Sequence, residues 1–232
     1  IGQTEFSKNS GRSELQLACE AIKAALDDCG LEPGKVDGLT TFTMDTNDEV
    51  EVAQAVGLGD LKFYSRIPYG GGAAIGVVQQ AVMAVATGVA DYVVVYRAFN
   101  ERSGHRYSTG IADGIVTADL IHWSWYLPFG LLTPASWVAM FTQRYIHDYG
   151  LDPLDLAHVA VSTRKHAVNN PNAFFYGKEL SIKDHQASRW IVEPLRLFDC
   201  CQETDGGCAC IITTPERARD LKQKPAIIRG VA

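Results

Sequence analysis

The chain contains no run of the roughly 18 consecutive apolar residues that a membrane-spanning helix requires, and its first residues, IGQTEFSK, lack the pattern of a signal peptide. It also lacks a basic surplus: 21 Lys and Arg stand against 27 Asp and Glu, for a formal net charge of −6. Such a balance gives no electrostatic footprint for a polyanion, so nucleic acid and anionic membrane surfaces are not expected partners. A local basic spot can still hold a phosphate. Cysteine is scarce as well, with six in 232 residues, four of them crowded into DCCQETDGGCAC, and that is no disulfide framework. Cys200, Cys201, Cys208 and Cys210 miss the two-residue spacing of a zinc knuckle, and adjacent Cys200 and Cys201 point to opposite faces if extended. No metal site is expected, and a soluble cytoplasmic protein fits best.

What is present is ordinary: 47% hydrophobic and 21% charged residues, enough to bury a real core. Strand and helix signals alternate from the start. After a short extended IGQTEF, Ser13 and Gln16 offer a capping box, and Leu15, Ala18, Ile22, Ala25 and Leu26 form an apolar helical stripe ending at Gly30. VDGLTTFTM reads as a strand, Glu49 to Val56 as a short helix, LKFYSRI as a strand and Ala73 to Thr87 as a helix stopped by Gly88. YVVVYRAF follows as a strand whose near-continuous apolar run suits a sheet covered on both faces. The repeated order predicts a layered α/β fold.

From Gly104 to about Trp190 aromatics, prolines and polar residues mix, as in IHWSWYLPFGLLTPASW. The expected organisation is a core over 1–103, an inserted region over 104–190 and a return to the core over 191–232. Within the insertion a helix is predicted from Pro134 to Tyr149, followed by Gly150, and a second from Asp152 with Pro153 at its first helical position. GGCACIITT reads as a strand, PERARDLK as a short helix capped by Thr214, and PAIIRGV as one more strand. No repeat or low-complexity tract is visible.

One stretch poses a chemical question. IPYGGGAAIGVVQQAVMAVATG, residues 67–88, runs three glycines into an apolar helix, yet its only Cys, Ser or Thr is Thr87, at the far end. Taken with VDGL, YRAFNERSG, RKHAVNNPNA and EPLRLFDCCQETDG, in this order, the chain resembles the first half of the thiolase superfamily, in its sterol-carrier and lipid-transfer branch. It is most similar there to actinobacterial steroid side-chain-cleaving aldolases. The resemblance covers nearly the entire chain and implies a thiolase-like αβα fold with a mixed sheet.

In condensing thiolases, the resemblance implies, the loop before this helix carries a cysteine activated by the helix N-terminus. Here that position falls on or beside Gly71, so a Cys-dependent acetyltransferase is not expected. Gly70, Gly71 and Gly72 let backbone approach a ligand, and N–H groups at the start of the helix suit an oxyanion. The implied activity is retro-aldol cleavage of a β-hydroxyacyl-CoA steroid side chain. It needs no cofactor, CoA being part of the substrate. The alternative is a non-catalytic acyl-CoA or lipid-binding subunit, in which the glycines only permit tight packing.

Other candidates carry two readings each. His166, with Arg164, Lys165, Asn169 and Asn170 in a polar, loop-prone segment, either contacts the CoA side of the pocket or braces a loop. Asn100 and Glu101 occupy the family's acidic position near the floor of the site, where ordering of loops competes with chemistry. Asp205, Gly206 and Gly207 look like a strand-entry turn. Tyr69, His122 and Tyr126 are pocket candidates, the last two lying among aromatics that form either a substrate wall or a plain core. His105, His147, His158 and His185 show no constellation. The resemblance further implies a second thiolase half beyond residue 232 bearing the acid and base, a homodimer, and an OB-fold partner domain of an acyl-CoA hydratase subunit.

Overall fold

The computed structural model describes residues 1–42, 47–67, 73–104, 106 and 124–230. They fall into two compact units, Ile1–Ser103 with Thr204–Ala232, and Gly104–Glu203.

In the first unit, strand β1 (Gly2–Gln3) leads to helix α1 (Glu14–Cys29). The Ser13 hydroxyl caps α1 by accepting from the Gln16 amide at 3.1 Å. The expected reciprocal half of the box is not made, because the Gln16 side chain donates instead to Glu20 at 2.8 Å. Gly30 ends the helix with φ 70°, a left-handed cap that a side chain rarely adopts. Strand β2 (Gly38–Phe42), helix α2 (Glu49–Val56), strand β3 (Phe63–Ile67), helix α3 (Ala73–Ala86) and strand β4 (Val93–Asn100) follow as the apolar patterning predicts.

The second unit holds helices α4 (Pro134–Tyr149), α5 (Leu154–Val168) and α6 (Ile182–Ala187) and a hairpin of β5 (Trp190–Val192) and β6 (Leu195–Arg196). Helix α4 starts behind Thr133, whose hydroxyl and Ser136 cap each other. Helix α5 begins one residue later than predicted, at Leu154, since the Asp152 carboxylate accepts from the Leu154 amide at 2.8 Å and makes residues 152–153 the entry turn. The chain then returns through strand β7 (Asp205–Ile212) and helix α7 (Pro215–Ala218) of the first unit.

The described strands of the first unit form one sheet in the order β1-β7-β4-β2-β3. β2 runs parallel to β3 and β4, whereas β7 runs antiparallel to β4 and β1. Along β4 the pleat sends Val94, Tyr96 and Ala98 into the core with α1 and α2, and Val93 and Val95 into the core with α3. A mixed sheet between helical layers is the predicted architecture. Burial on both faces explains why β4 is almost continuously apolar.

Three expectations need correction. Residues 191–203, assigned from sequence to the returning core, belong to the second unit. There β5 and β6 pair, and a 3-10 turn at Leu197–Asp199 is fastened to α6 by a hydrogen bond from His185 to Asp199. The last expected strand, PAIIRGV, does not form over 225–230. The preceding residues are drawn to the end of α1, where the Lys222 amide donates to the Cys29 carbonyl and the Gln223 side chain to Asp28. Asp205, Gly206 and Gly207 are not a turn but the first three residues of β7, paired with Asn100, Phe99 and Ala98.

Candidate active site

The three parallel strands direct their C-termini to one edge of the sheet. Phe42 and Ile67, the last residues of β2 and β3, are register partners, and β4 ends beyond them at Asn100. In open α/β sheets this carboxyl edge is where ligands bind, because helix N-termini and connecting loops converge there. The connection from β3 enters α3, a helix with no charged residue in its sequence AAIGVVQQAVMAVA and no acidic side chain in its first turn. Its first amide groups therefore have no carboxylate competitor within the turn. Tyr69, Gly70, Gly71, Gly72 and His122 lie outside the described residues.

On the α3 side of this edge sits Arg97, the charged residue of β4. Its Nη1 donates to the Phe42 carbonyl at 2.6 Å, and its guanidinium lies 4.6 Å from the centroid of the Phe42 ring and 4.9 Å from that of Phe99. On the α1 side Asn100 faces Asp205 across the β4–β7 ladder. The Asn100 Oδ1 accepts from the Ser10 hydroxyl at 2.8 Å, its Nδ2 donates to the Arg12 carbonyl at 2.7 Å, and its backbone amide donates to Glu14 at 3.0 Å. Asp205 is fully buried and accepts from the amides of Ser10, Arg102 and Ser103 at 3.0, 2.8 and 2.9 Å. Burial works to raise this carboxyl, but the hydroxyl of Ser103 and those three amides outweigh it and hold the group below the usual carboxylate range. Asn100 and Asp205 thus order the surrounding segments, and Glu101 lies in the turn that follows β4.

The second unit places its candidates on regular structure. His166 is an exposed residue of the last turn of α5, not of a loop. Arg164, two residues earlier, stacks 3.8 Å from the centroid of Phe175 and donates to the Lys178 carbonyl at 3.2 Å. Tyr126 packs its ring 5.0 Å from that of Trp137. His185, to which sequence spacing gave no partner, is buried with its Nε2 2.7 Å from the Asp199 carboxylate. Fourteen residues separate the two, and only the α6–β5–β6 turn brings them together.

No family profile matches the chain. Over its whole length it is 62% identical to a steroid side-chain-cleaving aldolase of Thermomonospora curvata and 59% identical to a 17-hydroxy-3-oxo-4-pregnene-20-carboxyl-CoA lyase of Mycobacterium tuberculosis. The solved structure of an Ltp2-ChsH2(DUF35) aldolase superposes with a TM-score of 0.90 at 61% identity, over 99% of this chain and 58% of that one. Human mitochondrial 3-ketoacyl-CoA thiolase, at 13% identity and a TM-score of 0.64 over 94% of this chain and 65% of that one, shares the fold. The chain therefore has the thiolase-like fold and is a close homologue of steroid side-chain-cleaving aldolases. It spans about three fifths of the length of the curated relatives it matches, 60% and 61% of the first two.

Four of the described thiols are poorly suited to act as a reacting thiolate. Burial pushes Cys19, Cys200, Cys208 and Cys210 above the ordinary thiol range, which keeps them protonated and weakly nucleophilic. Nor do the described residues group three or more His, Cys, Asp or Glu side chains in a way that would hold a metal ion. No helix among them is long and apolar enough to cross a membrane. The residues that sequence reasoning missed are Arg97, Arg66 and the His185–Asp199 pair. Arg97 alone left a signal, a charge inside YVVVYRAF.

Proposed function

We propose that the full-length protein is a carbon–carbon lyase that cleaves a β-hydroxyacyl-CoA steroid side chain, of the 17-hydroxy-3-oxo-4-pregnene-20-carboxyl-CoA type, to a 17-ketosteroid and propionyl-CoA. One observation carries the reading. The connection from β3 enters α3 with no Cys, Ser or Thr from Ile67 to Ala86, in a chain otherwise 62% identical to a steroid side-chain-cleaving aldolase. A nucleophile is dispensable in this reaction. A base removes the hydroxyl proton, the bond between the carbinol carbon and the α-carbon breaks to leave the ketone, and its electron pair moves into the thioester as an enolate, which an acid then protonates on carbon. What the reaction requires is a cradle for the enolate oxygen. The amides of Gly70, Gly71, Gly72 and the first turn of α3 supply it in this reading.

The acid and base are assigned to the portion of the relatives' length beyond the matched residues. CoA arrives with the substrate, so no separate cofactor enters. His166 and Tyr126 are proposed as substrate contacts. The working assembly is proposed as a cytoplasmic homodimer joined by an OB-fold domain of an acyl-CoA hydratase subunit, a pairing supported by the two-part name of the Ltp2-ChsH2(DUF35) aldolase.

The test is incubation of the full-length protein, with and without that partner, with a 17-hydroxy-steroid-22-oyl-CoA, followed by mass spectrometry. Ketone and propionyl-CoA in equal amounts are expected. Tight thioester binding without ketone would instead identify a binding subunit.

A further inference from the structure

We propose that Arg97 and Arg66 are positioning residues for the carboxyl edge of the sheet: two guanidiniums that hold the main-chain carbonyls of Phe42, at the end of β2, and of Asn47, just ahead of α2. The inference deepens the cleavage reading above and rests on it for its catalytic consequence.

The two contacts are of one kind. Arg97 on β4 donates to the carbonyl of Phe42, the last residue of β2, at 2.6 Å. Arg66 on β3 donates from Nη2 to the carbonyl of Asn47 at 2.5 Å, and from Nε to the Tyr64 hydroxyl at 3.0 Å. Asn47, only 5% exposed, is the first described residue after the four-residue stretch 43–46. Each arginine thus holds a main-chain acceptor at one end of the same short connection, and the two arise from the strands that flank β2.

Packing alone does not call for an arginine at position 97. Arg97 occupies a position whose neighbours on the same face of β4, Val93 and Val95, are buried aliphatics. A methionine would fill such a place without the cost of removing a guanidinium from water. A guanidinium offers several donors in a rigid plane, and that plane both stacks on the rings of Phe42 and Phe99 and reaches a carbonyl, which an ammonium cannot do at once. Because Phe42 pairs with Ile67, fixing the end of β2 also fixes the residue from which the glycine-rich entry departs. Preorganised groups lose their value when they shift by about 1 Å, so a bracket at this place acts through the backbone pairing of Phe42 with Ile67.

The experiment uses the full-length protein with its partner and the variants Arg97→Met, Arg97→Lys and Arg66→Met. Hydrogen exchange without substrate is expected to quicken about tenfold or more in peptides covering 38–47 and 61–73, and not in α1 or the second unit. With the steroid thioester, kcat is expected to fall about 10- to 100-fold at nearly constant KM for Arg97→Met, with little rescue by lysine. Unchanged exchange overturns the proposal, even alongside lost activity, since the arginine then acts on substrate directly. Unchanged kcat in an active enzyme overturns it too. A wild-type protein that yields no ketone defeats the cleavage reading instead, and the exchange measurement still decides whether the bracket exists.

Discussion

Asn100 and Asp205 face each other across the β4–β7 ladder, and between them they bind the main chain or side chains of Ser10, Arg12, Glu14, Arg102 and Ser103. The chain leaves the first unit at Ser103 and re-enters it at Thr204, so one carboxylate secures the exit and lies next to the return. A charged acceptor is worth about 1.5–3 kcal/mol per hydrogen bond. Asp205→Ala is accordingly expected to cost about 4 kcal/mol, lowering Tm by about 10 °C, and Asp205→Asn roughly half as much. Calorimetry on the two variants checks the ordering.

Acid should unfold the first unit through its buried carboxylates. Asp37, like Asp205, is held below the ordinary carboxyl range: burial opposes this, but the amides of Tyr92 and Asp91 and the Lys62 ammonium prevail. A depressed folded value means that the contribution is complete above the unfolded pKa, about 4, and is lost as pH falls through the lower folded value. Tm measured from pH 7 to pH 2.5 is expected to drop steeply only below about pH 4. Asp37→Asn should start lower at neutral pH and fall less steeply. Parallel curves would contradict the assignment.

The two glycines after Asp205 differ in what surrounds them. A Cβ on Gly207 would meet the Leu17 carbonyl at 2.9 Å and Ala98 at 3.3 Å, groups fixed in α1 and β4. A Cβ on Gly206 would meet only the ring of Phe6, a side chain 44% exposed and able to swing away. Gly207→Ala is expected to cost about 1–3 kcal/mol in denaturant titrations and Gly206→Ala under about 1 kcal/mol.

In the second unit the His185–Asp199 pair joins α6 to the turn before Cys200, and the other Asp199 oxygen accepts from the Arg196 amide at 2.7 Å. Both side chains are buried, at 1% and 7% exposure. His185→Ala leaves a buried carboxylate short of a donor, at about 3 kcal/mol. Hydrogen exchange should rise across 182–199 and leave β4 and β7 protected.

Much of the first unit was legible because its signals are local. Ser13, Gly30 and the α1 stripe need only neighbours three or four residues away, and the unbroken apolar run of β4 announces a doubly covered strand. PAIIRGV misled for the opposite reason: its composition suits a strand, but a strand also needs a pairing partner, and which segments pair is a property of the whole sheet. The site was less legible than the fold. Arg97 reaches a carbonyl 55 residues away, and His185 meets Asp199 only through an intervening hairpin, so neither contact follows a spacing rule. The meaning of Asp205 changed for the same reason, from a turn residue to the buried acceptor of amides about 100 and 195 residues distant.

The central claim is that the carbon–carbon bond breaks with no covalent link between substrate and protein. The most direct measurement is intact-protein mass spectrometry on samples quenched during turnover of the steroid thioester, with product ketone followed in parallel. Ketone accumulating while the protein keeps its unmodified mass is the predicted result. A transient acyl or steroyl mass increment on one of its cysteines, formed and lost at the rate of turnover, would contradict it.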